Sequence, residues 1–434
     1  MVKKAGFARN DVGIRQILNL WYKRNHNLMK SYNLGKTFTS LKSPNFRLWF
    51  IGQVVSLVGT WMQSTAQNFL VYELTHSAAY LAIVGFANGI PTIIFTLLGG
   101  LTADRFSKRK VIVIAQAAMM VLAGILAVLA FTHLIQPWHI VVLAFLLGVA
   151  NSFDAPARQA FVVDMVEREN LANAIALNST IFNLGAIVGP ATAGLVYAWL
   201  GPAWCFTINS ISFIAVITAL LLMKLPPRVV QHTIGSPFAK LIEGLRFVIN
   251  EPRIRLLLGY VAVVSIFGFS LMTLMPAWSV KILGGDVKLN GLLLTARGAG
   301  SLLGALMIAY ISSHFVRNKI WLIGWYLMPV ALFAFAFMRW IPGSFMLLVL
   351  LGWCLMSVLN ISNALIQSYV SDQMRGRVMS VYTLVFFGSM PLGALVAGGL
   401  ATAFGEPSTA MICAGVILVA TIGTFFFRKT IQQF

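Results

Sequence analysis

The chain has 434 residues, 59% hydrophobic and only 10% charged, with a formal net charge of +20. Soluble globular chains carry about 25% charged residues, so a compact water-soluble core is excluded. A charge of +20 in a soluble protein would suggest nucleic acid, but here 28 of the 32 Lys and Arg fall in alternate gaps between apolar runs. The charge is therefore read as membrane topology and attraction to anionic lipid at the cytoplasmic face, with no nucleic-acid partner.

Residues 1–45 form a basic N-terminal segment with no short apolar region and small-residue cleavage site, so no removed signal peptide is expected. Asp11 can cap a helix with Ile14, Ile17, Leu18 and Trp21 on one face and Arg15, Lys23 and Arg24 on the other. That pattern fits an interfacial helix on the cytoplasmic leaflet or a disordered basic tail. Twelve apolar runs follow, at 47–73, 77–100, 110–132, 138–158, 172–199, 202–223, 254–282, 289–312, 319–338, 343–368, 377–404 and 408–428. About 20 apolar helical residues cross the roughly 30 Å hydrocarbon core, and open strands would leave backbone groups unpaired in lipid. The expected fold is all-α: a polytopic membrane protein with six spans in 46–223, a cytoplasmic linker at 224–253, six spans in 254–428 and a tail at 429–434. The linker opens on Pro226-Pro227, and a surface helix is predicted at 236–249. With the N-terminus inside, only Lys281, Lys288 and Arg339 lie outside and Arg297 falls within a span, which puts both termini in the cytoplasm.

Along the chain, span 1 carries Gln53, Ser56, Thr60, Gln63, Ser64 and Gln67 within an arc of about 100°. The next connection reads Gly99-Gly100-Leu-Thr-Ala-Asp104-Arg105-Phe-Ser-Lys108-Arg109-Lys110. Span 4 ends with Asp154-Ala-Pro-Ala-Arg158, and Glu169-Asn-Leu-Ala-Asn-Ala-Ile-Ala-Leu-Asn178 leads into span 5. Span 5 holds Gly185, Gly189, Pro190 and Gly194, where the glycines leave a groove and the proline removes a backbone donor. Span 10 repeats a polar face with Ser357, Asn360 and Gln367. A repeat also links the two sets of spans. Gln159–Asp164 aligns with Gln367–Asp372 at an offset of 208 residues, and Gly194 and Gly201 match Gly398 and Gly405 at 204. Cys205, Cys354 and Cys413 have no metal-like spacing and the six His are scattered, so neither metal nor cofactor is expected. No G-x-x-x-x-G-K-[ST] loop occurs, which excludes ATP as the direct energy source on this chain.

The 99–110 segment is similar to the signature loop of the major facilitator superfamily, and Gly185–Gly194 resembles the glycine-proline motif of its antiporter branch. With the Asp154 and Glu169 segments, residues 40–428 resemble the branch containing enterobactin exporters and macrolide-efflux proteins. The resemblance implies a central cavity lined by the span 1 and span 10 stripes. Gln53, Thr60, Gln63, Ser64, Gln67, Tyr260, Arg297, Trp353, Ser357 and Asn360 are the substrate-binding candidates, with Trp61 and Trp278 as further aromatic contributors. Gly100, Asp104, Arg105, Arg109, Asp154, Arg158, Gly185, Gly189, Pro190 and Gly194 are the gating candidates. Asp104 is expected to face the start of span 11 near Arg377, although the second-half loop 311–319 lacks the aspartate. No Asp or Glu lies near the centre of a span, unlike antiporters with an intramembrane carboxylate. Asp154 is the best remaining proton site, with Arg158 one turn away as its ion-pair partner.

The function these expectations describe is proton-coupled export of an amphiphilic organic compound, siderophore-like or drug-like, by a monomer in a bacterial inner membrane. Proton-coupled import is the first alternative. Outside transport, the alternatives are an intramembrane lipid-modifying enzyme, which would need clustered His, Asp, Glu, Ser or Cys at membrane depth, and a non-transporting receptor.

Overall fold

The computed structural model describes residues 38–224, 237–310 and 314–426. The N-terminal amphipathic stretch, the Pro226-Pro227 start of the linker and the C-terminal tail lie outside the described residues. The helices are α1 (Pro44–Thr75), α2 (Ala78–Arg105), α3 (Lys108–Phe131), α4 (Pro137–Phe161), α5 (Leu171–Leu200) and α6 (Pro202–Leu222). After a linker helix (Pro237–Asn250) come α7 (Pro252–Thr273), α8 (Val287–Tyr310), α9 (His314–Phe337), α10 (Ile341–Tyr369), α11 (Asp372–Phe404) and α12 (Glu406–Phe426). No strand occurs among the described residues.

Eleven of these helices are long and apolar enough to cross a membrane. At 32 residues α1 has the length, but its run of Gln, Ser and Thr leaves it outside that apolar set. Those side chains are tolerable because many are buried against protein rather than lipid. Proline in the first turn starts α1, α4, α6, α7 and α10, where its missing N–H costs nothing. Gly201 (φ +89°) and Gly405 (φ +81°) turn α5 into α6 and α11 into α12, a conformation that favours glycine. The repeat offset of 204 residues seen in the sequence thus marks equivalent turns.

Within the first six helices α1 packs on α5 and α6, α2 on α4, and α3 on α4 and α6. In the last six, α8 packs on α10, and α9 on α10 and α12. Two large contacts join the sets, α2 with α11 and α5 with α8, and smaller ones bring α8 and the 270–277 segment against α1 and α2. The two large ones are equivalent under the repeat. Gly398 approaches Ala78 and Ala82 where Gly194 approaches Val287 and Lys288, and Gly85 meets Ala394 where Gly291 meets the Pro190 carbonyl. All these residues lie toward the α1–α2 and α7–α8 connections, so this side is sealed, away from the linker. On the linker side Asp104 is exposed and makes no ion pair among the described residues, while Arg377 pairs with Glu243 of the linker helix.

The sequence predicts one continuous helix over 254–282, and the structure breaks it. Val264–Gly268 is π-helical, Ser270–Thr273 and Met275–Ala277 are single turns, and Trp278–Ile282 is π-helical again. Pro276 has no N–H to donate one turn back, and Gly268 lets the chain approach the Leu355 side chain closely. Such π segments occur often at functional sites.

Candidate substrate cavity

A cavity of about 130 Å³ lies where the two sets of helices meet, just inside the sealed side. α1 contributes Trp61, Ser64, Thr65 and Asn68, α2 Leu81 and Gly85, and α5 Ala186 and Pro190. From the other set come Met272 and Thr273 of the broken α7, and Leu294 and Arg297 of α8. The spacing of 61, 64, 65 and 68 is one helical face. Trp61 is fixed from behind by α5: a Cβ on Gly185 would stand 2.9 Å from its ring, and Gly189 packs on its Cβ. Trp61 also meets Phe182 edge-on at 5.6 Å.

Arg297 stands ten residues into α8, about 15 Å along the helix and so near the middle of a roughly 30 Å core. Its guanidinium touches Met272 Sδ and lies 5.5 Å from the Phe269 ring centroid. Both partners are neutral. No carboxylate pairs with Arg297 among the described residues. Placing Arg at this depth costs about 2.5–3.5 kcal/mol on insertion scales, which the thioether and ring offset only in part. A polar anion entering the cavity would complete the site.

Of the sequence candidates, Trp61, Ser64, Pro190 and Arg297 line this cavity, and Gly185 and Gly189 shape it through Trp61. The rest of the α1 stripe turns elsewhere. Gln63 Oε1 accepts from Asn209 Nδ2 of α6 at 2.6 Å, and Gln53 Oε1 accepts from Arg158 at 3.3 Å. Thr60 donates to the Ser56 carbonyl, and Gln67 is buried. The stripe and the cavity face are about 100° apart around α1 and share only Ser64. Tyr260 is buried against Trp325, with centroids 4.7 Å apart, and Trp278 stacks on Phe335 at the same distance. Ser357 is buried where α10 passes Gly304 and Gly324, Trp353 and Asn360 are half-buried on the same helix, and none of these five lines the cavity.

Several gating candidates hold helices together on the linker side. Arg109 caps α6 by donating to the Leu221 and Met223 carbonyls at 2.7 and 3.2 Å. Gly100 has no close neighbour and Arg105 is exposed. Lys108, outside the sequence-derived set, is buried, ion-paired to Asp164 at 3.0 Å and bonded to the Ala160 carbonyl. Asp154 is fully buried on α4. It accepts from Gln116 Nε2 of α3 at 3.0 Å and sits 3.6 Å from Arg158 Nε. The chain Gln116–Asp154–Arg158–Gln53 thereby ties α3, α4 and α1 together. Arg158→Gln strands a fully buried carboxylate, a loss of about 3–5 kcal/mol. Asp154→Asn instead leaves a guanidinium that is 21% exposed and still reaches Gln53. Thermal unfolding in detergent should show the larger loss for Arg158→Gln; equal losses would mean the pair carries no buried charge.

The family model described as "Transmembrane secretion effector" matches residues 35–433. The chain is 24% identical over 396 residues to the staphyloferrin A transporter of Staphylococcus aureus, covering 89% of this chain and 97% of the relative. It is 28% identical to the multidrug efflux pump Tap of Mycolicibacterium fortuitum (90% and 97% covered) and 26% to the enterobactin exporter EntS of Salmonella typhi (89% and 94%). Among solved structures, it resembles an inward-facing, unoccupied bacterial homolog of the lysosomal transporter Spinster at TM-score 0.72 and 14% identity, covering 90% and 97% of the two chains. The nucleoside transporter NupG gives 0.70 at 13% identity, covering 90% and 98%. With a family match over nearly its whole length and a fold of that kind, the chain belongs to the transmembrane secretion effector family of major facilitator transporters.

Proposed function

We propose that this transporter exports an amphiphilic organic compound bearing an anionic group, siderophore-like or drug-like, by alternating access coupled to protons. The observation that carries this reading is Arg297, a guanidinium without a carboxylate partner among the described residues, in a cavity walled by both sets of helices. Trp61, Leu81, Met272 and Leu294 offer the apolar surface an amphiphile needs, and Ser64, Thr65 and Asn68 offer neutral hydrogen-bonding groups. The relatives named for staphyloferrin A, enterobactin and multiple drugs support a mid-sized organic solute. Two of them are named as exporters, which favours export over import. Asp154 is the best remaining candidate for the coupling site in this reading, a fully buried carboxylate whose Oδ2 faces Arg158. The test is uptake into inverted inner-membrane vesicles of a catecholate siderophore, a citrate-based siderophore and a lipophilic drug, with and without a proton gradient. Gradient-dependent accumulation of one class supports export; uptake of none, or uptake indifferent to the gradient, overturns it.

Orientation follows the basic residues: both termini and the linker are cytoplasmic, and the sealed side faces outward. The three native cysteines are buried, so in a background lacking them a cysteine introduced at residue 240 reports on the side of the linker alone. A membrane-impermeant maleimide should label it in inverted vesicles and not in intact cells. Labelling from outside intact cells would reverse the topology.

A further inference from the structure

The linker helix presents an apolar face that is open to its surroundings. Pro237–Asn250 leads through Glu251 straight into α7 and rests on α11, with Gly244 against the Arg377 carbonyl and Glu243 paired with the Arg377 side chain. Gly244 and Val248 are buried on that side. At 100° per residue, Phe238, Ile242, Leu245 and Ile249 fall within an arc of about 60° on another face. They are 60%, 37%, 47% and 53% exposed. Arg246 is exposed and borders this stripe, and Arg255 sits at its far end, donating to the Ile249 carbonyl at 2.7 Å. Glu243, the helix's one acidic residue, is turned aside and engaged by Arg377.

We propose that this stripe lies in the acyl-headgroup boundary of the leaflet on the linker side, with Arg246 and Arg255 holding anionic phospholipid headgroups. Three features favour lipid over a protein partner. The helix ends two residues before a membrane-spanning helix begins, which sets it at the height where the bundle leaves the bilayer. Its apolar side chains are spaced as in a helix lying in the interface plane, and the charges bordering them are basic, matching an anionic surface. Through Gly244 and Glu243 the helix would then tether α11 to the leaflet.

The test uses the full-length protein in nanodiscs of phosphatidylcholine brominated in its acyl chains, with or without phosphatidylglycerol. Bimane is attached to single cysteines replacing Ile242 or Ile249, and to controls replacing Ala239 or Asn250, which are exposed but off the stripe. Bromolipid should quench the stripe positions at least about twofold more than the controls, and iodide should quench the controls more. Arg246→Glu should reduce stripe quenching only in discs containing phosphatidylglycerol. Stripe positions open to iodide, or shielded from iodide yet unquenched by bromolipid, would overturn lipid burial. Quenching that is the same with and without phosphatidylglycerol would overturn the headgroup assignment. Because the readout needs no transported substrate, it stands apart from the export assignment.

Discussion

Arg297→Gln is expected to weaken binding and transport of anionic substrates by about 10- to 100-fold while leaving neutral ones nearly unchanged. Hydrogen bonds to charged groups contribute about 1.5–3 kcal/mol, and about 1.4 kcal/mol is tenfold in affinity. The figure belongs at the upper end here, because the guanidinium sits near mid-membrane with only a thioether and a ring beside it. Arg297→Lys should keep part of the activity: it retains the charge but loses the planar fork that pairs bidentately with a carboxylate or catecholate. Neither substitution disturbs an ion pair, since Arg297 has none among the described residues, so the folded fraction should hold. Competition binding with matched anionic and neutral ligands checks this directly. Equal losses for the two classes would return Arg297 to a structural role.

Arg297 was legible in the sequence because a charge inside an apolar span has few explanations. The helical class was legible for a similar reason, since lipid permits little else. What periodicity could not supply was the neighbour each face meets. The α1 stripe does share a face, but Gln63 and Gln53 spend their polarity on Asn209 and Arg158 inside the first six helices. The cavity instead meets a face about 100° away, led by Trp61 and Asn68, whose amphipathic spacing is weak because Trp is apolar. Tyr260 and Ser357 likewise sit among helices of the last six. The break in α7 had a visible cause in Gly268 and Pro276, yet proline is common enough in membrane helices that hydropathy alone reads through it. Gly194 and Gly398 marked a repeat in the sequence. That they form equivalent contacts between the two sets emerged only when α8 and α2 were placed against them.

Those equivalent contacts predict a conformational variant. Gly291→Val should open the sealed side and reduce transport at least about tenfold without loss of membrane insertion. The Pro190 carbonyl and the Gly194 backbone lie where the new side chain would stand, and both are helix backbone that cannot rotate away. Valine adds three carbons where even the first would clash; overpacking a close contact typically costs about 1–3 kcal/mol, and a two-state transporter balanced within that range moves to the state where the contact is absent. Gly298→Val should act alike, because its Cβ would come 2.7 Å from the Ala186 carbonyl. Gly399→Val is the matched control: it lies on α11 beside Gly398 but has no neighbour within 4 Å, so transport should persist. The measurement is maleimide access to a cysteine replacing Asn68 in the cavity wall, added from the side opposite the linker. Access should rise in the Gly291 and Gly298 variants and stay at the parental level for Gly399. Unchanged access with lost transport would mean that the α5 and α8 contact serves folding, and that the barrier on this side is made by other contacts, chiefly that of α2 with α11.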